Sequence, residues 1–463
     1  MPSFSKLFAR VSVMLLAGSP VLKRNWTLSA ALLATLGAGS VACSAEDDQR
    51  ERIPYLIERA QQVRELGLID DVPIIELTQD EYLAGVDEGV DDAGLAELGQ
   101  TYGRLGYFDP DADLHQAVIG SREWVAGIYS QDEKRITLVG DPSEGVVVHE
   151  IVHALQDQHF DLIEFEDMPT SDAALARSAI VEGDADLAEL RFRMEDEKQR
   201  TLESLDWSDV FDWVDDASQQ WLDDATTPLL FMAYPSFTYT YGFAHATHTL
   251  TGITRGDLEP SQPVPFAWSR EDDRFGDDAR DTAGAILLLE PDVTLSAVGL
   301  SEAPKALSSR LESVDWDTLG SWYTYLLVRP TDRFDAIEAP FELAASWRGD
   351  RVLFVRDAES DERGLVWTSR WSDVTMAGSV WEALRDLHGF HLSAPDSSLG
   401  TAADGETVWL QQSEDSVVFV KNVDESLAGE LASLALTSER SRSQPRRARP
   451  PLLARLGRRD VRP

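Results

Sequence analysis

The chain has 463 residues, 43% hydrophobic and 27% charged, enough for two or three domains with well-buried cores. Its 82 acidic against 41 basic residues give a formal charge of -41, a surface that repels phosphate backbones and argues against nucleic acid as a partner. The single cysteine excludes an intramolecular disulfide, and the basic residues are nearly all arginine, a pattern that fits a salty habitat or a GC-rich genome.

The first element is an export signal. Lys23 and Arg24 precede an apolar run from Trp26 to Ala42 that ends at Cys43, and a basic n-region, an apolar h-region and a small residue before the cut describe a signal peptide. The stretch "SVAC" resembles a bacterial lipobox, with Ser40 where leucine is usual. Residues 1–43 are therefore expected to direct export and to anchor the chain to a membrane through lipid on Cys43, with plain secretion or an uncleaved N-terminal anchor as the alternatives.

The body opens with helical periodicity in "AEDDQRERIPYLIERAQQVRELGL", a short strand in "VPIIEL" and a capping box, "TQDE", at Thr78 to Glu81. The stretch "EWVAGIYSQDEKRITLV" predicts a hairpin with arms Trp124–Tyr129 and Arg135–Val139. In "DPSEG", Asp141 is the expected N-cap, with Pro142 in the first turn and Glu144 completing the box. The helix it opens carries "VVVHEIVHALQDQHF", held in the core by a stripe of Val148, Ile151, Val152 and Leu155. A second long helix is expected from Ser171 to about Arg200. Beyond Gly252, "AILLL", "RVLFVRD", "GLVWTSRW", "TVWLQQ" and "SVVFVKN" look like strands, and "WDTLGSWYTYLLV", "TMAGSVWEALRDL" and "ESLAGELASLAL" like helices. The fold class is α+β. From Arg440 onward nine arginines accompany prolines in a basic tail that cannot form a packed core.

The chemistry sits in "HEIVH". On a helix, residues four apart point about 40° apart and lie about 6 Å along the axis, so His149 and His153 can reach one ion. Glu150, about 100° around, can touch an attacking water without ligating. The second helix carries "AIVEGDADL", where Glu182 and Asp186 share a face and Ala174, Ser178, Ala179, Gly183 and Ala185 keep the helix slim. Glu182 would complete a His₂Glu set with one open position, the arrangement of a catalytic zinc. Asp186 would accept the free N–H of a ligand histidine. A rival third ligand is His159, at the spacing of another zinc-protease class, but Gln156 stands where that class needs glycine.

The order "WVAGIY…KRITLV…VVHEIVHALQDQHFDL…AIVEGDADL", followed by "YPSFTYTYGFAH", resembles an uncharacterised bacterial group assigned to zinc metallopeptidases of gluzincin type, often envelope lipoproteins. "DTLGSWYTYLLV", "ASWRGDRVLFV" and "GLVWTSRW" extend the likeness over most of Trp124 to Trp371. The resemblance implies a zincin-like core of hairpin, HExxH helix and glutamate helix, with His149, His153 and Glu182 as zinc ligands and Glu150 as catalytic acid/base. The expected domains are then 44–251, catalytic, and 252–438, an α+β C-terminal region, with 439–463 as the tail.

The expected reaction is hydrolysis of a peptide or protein substrate, laid on the edge strand that the hairpin ending at Val139 supplies. The oxyanion needs a further donor, for which Tyr239, Tyr241, His245 and His248 are the candidates. His115, His388 and His391 read as structural. The alternative is a catalytically inactive lipoprotein of the same fold that serves as a binding or scaffolding module, or a metal-free protein in which the motif is coincidental.

Overall fold

The computed structural model describes residues 45–109, 112–205, 207, 209–255, 265–276, 278–292, 310–329, 340–393 and 397–437. The signal peptide with its lipobox and the basic tail lie outside these. Among the described residues no helix is long and apolar enough to cross a membrane.

The first helix, α1, spans Ala45–Arg64, and strand β1 spans Ile74–Leu77. The capping box forms as read: Glu81 N–H donates to Thr78 Oγ1, and Thr78 N–H donates to the Glu81 carboxylate, opening α2 (Gln79–Gly89). Helices α3 (Asp92–Leu105) and α4 (Leu114–Gly120) follow. The hairpin is β2 (Gly127–Ser130) and β3 (Arg135–Val139). Its first arm starts later than expected because Arg122 to Trp124 fold into a turn, with Val125 N–H donating to the Arg122 carbonyl. Strand β3 pairs parallel with β1 and antiparallel with β2, so β2 carries the hairpin's open edge.

Helix α5 spans Glu144–Phe160, and its N-cap is Ser143, not Asp141: the Ser143 hydroxyl accepts from Val146 N–H. After α6 (Leu162–Glu166) comes α7, Ser171–Phe192, which ends in a π turn at Arg193–Glu197 before reaching Arg200. Helices α8 (Val210–Asp223) and α9 (Leu229–Phe237) lead into a second π turn, Thr238–Gly242, and then α10 (Phe243–Thr251). Two short helices follow, α11 (Ser269–Asp272) and α12 (Ala283–Leu288). The apolar run "AILLL" is thus helical, not a strand. Thr282 starts it as a capping residue, accepting from Ala285 N–H, and its apolar side chains join the main core.

The remaining elements are β4 (Leu311–Asp317), α13 (Gly320–Val328), α14 (Pro340–Ser346), β5 (Trp347–Asp357), β6 (Arg363–Trp371), α15 (Val374–Leu387), β7 (His391–Leu392), β8 (Leu399–Thr401), β9 (Thr407–Ser413), β10 (Ser416–Lys421) and α16 (Glu425–Thr437). "WDTLGSWYTYLLV" therefore divides: its first residues end β4, and the helix begins at Gly320. The strands make one antiparallel sheet in the order β4-β5-β6-β10-β9-β8-β7. Both faces are covered, which is why these strands read as continuous apolar runs. Phe354, Trp367, Val417 and Phe419 face the main core, and Leu353, Val355, Val366 and Val418 face α16. The fold is α+β.

Helices α5 and α7 form the centre. Residues Gly145 to Asp157 of α5 and nearly all of α7 are buried, so α5 is enclosed on every side, its polar residues included, and not along the apolar stripe alone. Gly183 of α7 meets the second π turn backbone to backbone: a Cβ at Gly183 would lie 2.1 Å from the Gly242 carbonyl oxygen, and one at Gly242 would lie 2.2 Å from the Ala179 carbonyl oxygen. The close approach inferred for Gly183 is real, and its neighbour is the aromatic segment.

The start of α7 is tied to the large sheet by buried carboxylates. Asp317 accepts from Ser171 N–H and Oγ and from Tyr102 Oη, and Asp172 accepts from Ala283 N–H. Asp350 accepts from Leu319 and Gly320 N–H and from the indoles of Trp347 and Trp367. Burial raises Asp172 well above the ordinary carboxylate range and pushes Asp350 up to about 6.

Gly183→Ala is expected to destabilise the protein by about 2 kcal/mol or more, because neither backbone can yield. Denaturant unfolding of the variant measures it, and an unchanged midpoint would refute the contact.

Candidate metal centre

Two histidines one turn apart on α5, His149 and His153, face Glu182 on α7. His149 Nε2 and His153 Nε2 each lie 3.3 Å from Glu182 Oε2 and 3.0 Å from one another. Four donors around a zinc at 2.0–2.2 Å sit about 3.3 Å apart at the corners of a tetrahedron. The three atoms thus have the spacing of three corners, and this group could hold a metal ion. All three residues are buried, at 5%, 5% and 3% exposure, so Glu182 is not part of a solvated acidic surface.

Each outer nitrogen has a polar neighbour, and for His153 that neighbour is a hydrogen-bond partner. Gln156 donates its amide to the Val181 carbonyl at 3.0 Å and to Asp184 at 2.6 Å, which turns its Oε1 towards His153 Nδ1 at 2.8 Å. His153 therefore carries its proton on Nδ1 and presents the Nε2 lone pair to the cluster. Asp184 is held in turn by Arg64 of α1, a fully buried guanidinium. His149 Nδ1 faces Asp186 Oδ1 at 3.3 Å and Glu189 Oε2 at 3.5 Å. Glu189 is gripped by Arg193, whose Nη2 also donates to the Ser143 hydroxyl at the start of α5. Two buried arginines, from opposite ends of the site, thus hold the partners of the two histidines.

The electrostatics follow. Burial disfavours a charge on His149, but Asp186, Glu182 and Glu189 outweigh it and hold the ring well above its ordinary value. Burial pushes Asp186 up to about 7 despite His149 beside it. Burial also acts on Glu189, yet Arg193 and His149 bring it down to about 2. Carboxylates from α7 and imidazoles from α5 thus converge here, a donor set that could hold a metal ion.

Glu150 is buried against the open-edge strand. A Cβ at Gly127 of β2 would lie 2.8 Å from Glu150 Cγ and 3.1 Å from its Oε1, so only glycine lets the carboxylate pass there. The pairing of β2 with β3 has Val139 N–H donating to the Ala126 carbonyl, and alternation turns the Gly127 and Tyr129 backbone groups to the open edge.

Of the four oxyanion candidates only Tyr239 stands beside the cluster, its ring 6.3 Å from that of His149. Tyr241 packs into the core against Phe237 and Trp322, His245 is buried with its pKa driven well below the ordinary value, and His248 closes the end of α10 on the Ile253 carbonyl. His159 faces away, bonded to the Gly67 carbonyl at 2.7 Å. His115 bridges Asp87 and Asp92, which raise it to about 8, and His388 stacks on Phe419. His391 lies exposed in β7.

Sequence reasoning missed Tyr234, which donates to Glu182 Oε1 at 2.7 Å and leaves Oε2 for the histidines. It also missed Gln156 as a partner of His153, and Glu189, Arg193 and Arg64. For Glu189 a signal was present: it lies seven residues after Glu182, two turns along the same helical face.

Residues 309–432 match the family model of a domain of unknown function (DUF8575), a match that leaves α5 and α7 outside it. No curated protein and no solved structure matches the chain.

Gln156→Leu is expected to weaken zinc binding about 10- to 100-fold, and His159→Ala to leave it within about two-fold. Competition against a chromophoric chelator measures both. Equal losses in the two variants would contradict the assignment.

Proposed function

We propose that the protein is a zinc-dependent peptidase of the exported cell envelope, anchored through Cys43, with His149, His153 and Glu182 as ligands. The observation that carries this reading is the convergence of three buried donor atoms at tetrahedral spacing beside a carboxylate that borders an open strand edge. Zinc, when bound, would supply Lewis acidity and bring a water's pKa towards about 7.

The chain's own residues do the rest. An extended peptide pairs with the open edge of β2 through Gly127 and Tyr129, which sets its backbone beside Glu150. Glu150 takes a proton from the attacking water and returns it to the amide nitrogen as the C–N bond breaks and the new C–O bond forms. Tyr239 is the hydroxyl placed to stabilise the developing oxyanion. Tyr234 holds Glu182, and Gln156, Asp186 and Glu189 hold the histidines, so the donor set is preorganised.

Glu150→Gln is expected to keep one zinc per chain and to lower kcat by at least about 10²-fold, whereas His149→Ala loses the metal. Metal analysis and a quenched-fluorescence peptide assay of each variant check this. Undiminished turnover by Glu150→Gln would end the peptidase reading, and zinc binding without turnover in the wild type would favour the binding-module alternative. Chelator treatment should abolish activity and added zinc restore it.

A further inference from the structure

The side chains that touch the proposed ligands are nearly all closed off. Gln156, Glu189 and Glu150 are 0%, 2% and 2% exposed, and Asp186 is 9%. Tyr234 and Tyr239 are the exceptions, each partly exposed. They lie five residues apart, which on a regular α-helix would turn them about 140° from each other. The π turn that begins at Thr238 widens the winding and brings their rings to 6.3 Å, edge to face. The mouth of the site is therefore aromatic.

The aromatic surface continues outward. Trp124 stands edge-on to Tyr239 at 5.9 Å, and Trp221 of α8 stands edge-on to Trp124 at 5.6 Å. Both are partly exposed. Trp124 also lies directly before the strand whose open edge would carry the substrate backbone. Tyr239, Trp124 and Trp221 thus run in ring contacts from His149 to α8, with Tyr234 beside Tyr239 and Trp124 three residues before β2. In a chain of charge -41, this wall offers π-faces and no carboxylate of its own.

We propose that Trp124, Trp221, Tyr234 and Tyr239 form a specificity wall that selects peptides with an aromatic or bulky apolar residue next to the scissile bond. This rests on the peptidase reading above. The wall recognises such a residue by burial and edge-to-face contact, and leaves glycine or an acidic residue without a partner.

The test uses the zinc-loaded full chain and a set of quenched peptides that differ only at the residue on either side of the cleaved bond, carrying Phe, Leu, Gly or Asp. The expected result is a kcat/KM at least about ten-fold higher for Phe than for Gly or Asp. Trp221→Ala, which touches no ligand, should keep its zinc and bring that ratio towards one, mainly through KM. If zinc is bound and peptides are cut without regard to the side chain, or if the ratio survives in Trp221→Ala, the wall is overturned and the peptidase reading stands. If no peptide is cut with zinc in place, both fall. Trp221→Phe should restore most of the preference, which a variant that had merely lost packing would not do.

Discussion

Polar groups placed in the middle of an apolar core have to be satisfied there, and that constraint organises this protein. Helices α5 and α7 are buried over most of their length, yet between them they carry two buried imidazoles and seven buried carboxylates. An unpaired buried charge costs several kcal/mol, so each of these groups needs a counterpart from another part of the chain. Arg64 comes from α1, Arg193 from the π turn after α7, and Tyr234 from α9. The need to satisfy the centre thus determines which elements must pack around it. What remains directed inward is the group of three donor atoms at mutual spacings of 3.0–3.3 Å.

The two arginines illustrate how this works. Glu189 alone would be a buried anion, but Arg193 brings it down to about 2 and keeps it ionised beside His149. Arg193 also reaches Ser143, so one guanidinium joins the end of α7 to the beginning of α5. On the other side Arg64 holds Asp184, which orients the Gln156 amide. Neither arginine pairs with His149, His153 or Glu182, yet each holds a side chain that lies against one of the imidazoles.

Much of this was legible in the sequence, and the part that was not has a common cause. Periodicity and capping chemistry are local, so Thr78 with Glu81, the two long helices and strands β5, β6, β9 and β10 of the large sheet could be read from adjacent residues, whereas β4, β7 and β8 could not. The geometry of His149 with His153 is equally local, since helix winding alone determines it. Glu182 needed a second helix, and was readable because small residues and a glycine marked close packing around it. Tyr234, Arg64 and Arg193 carried no such mark. Their partners lie 52 residues away for Tyr234 and 120 for Arg64, and an arginine paired within the core looks in the sequence like one on the surface. The errors were local as well. Asp141 and Ser143 are both competent caps two residues apart, and "AILLL" is too short an apolar run to tell strand from helix by pattern.

The joint between α7 and the large sheet bears on how the gene could be divided. Asp317 lies inside the stretch that matches a family model, while Tyr102 and Ser171, from which it accepts, lie far upstream of it. Cutting the chain between them would leave the Asp317 carboxylate without these donors and would fray the first turn of the glutamate-bearing helix. The limit at residue 309 therefore does not fall at a break in the packing.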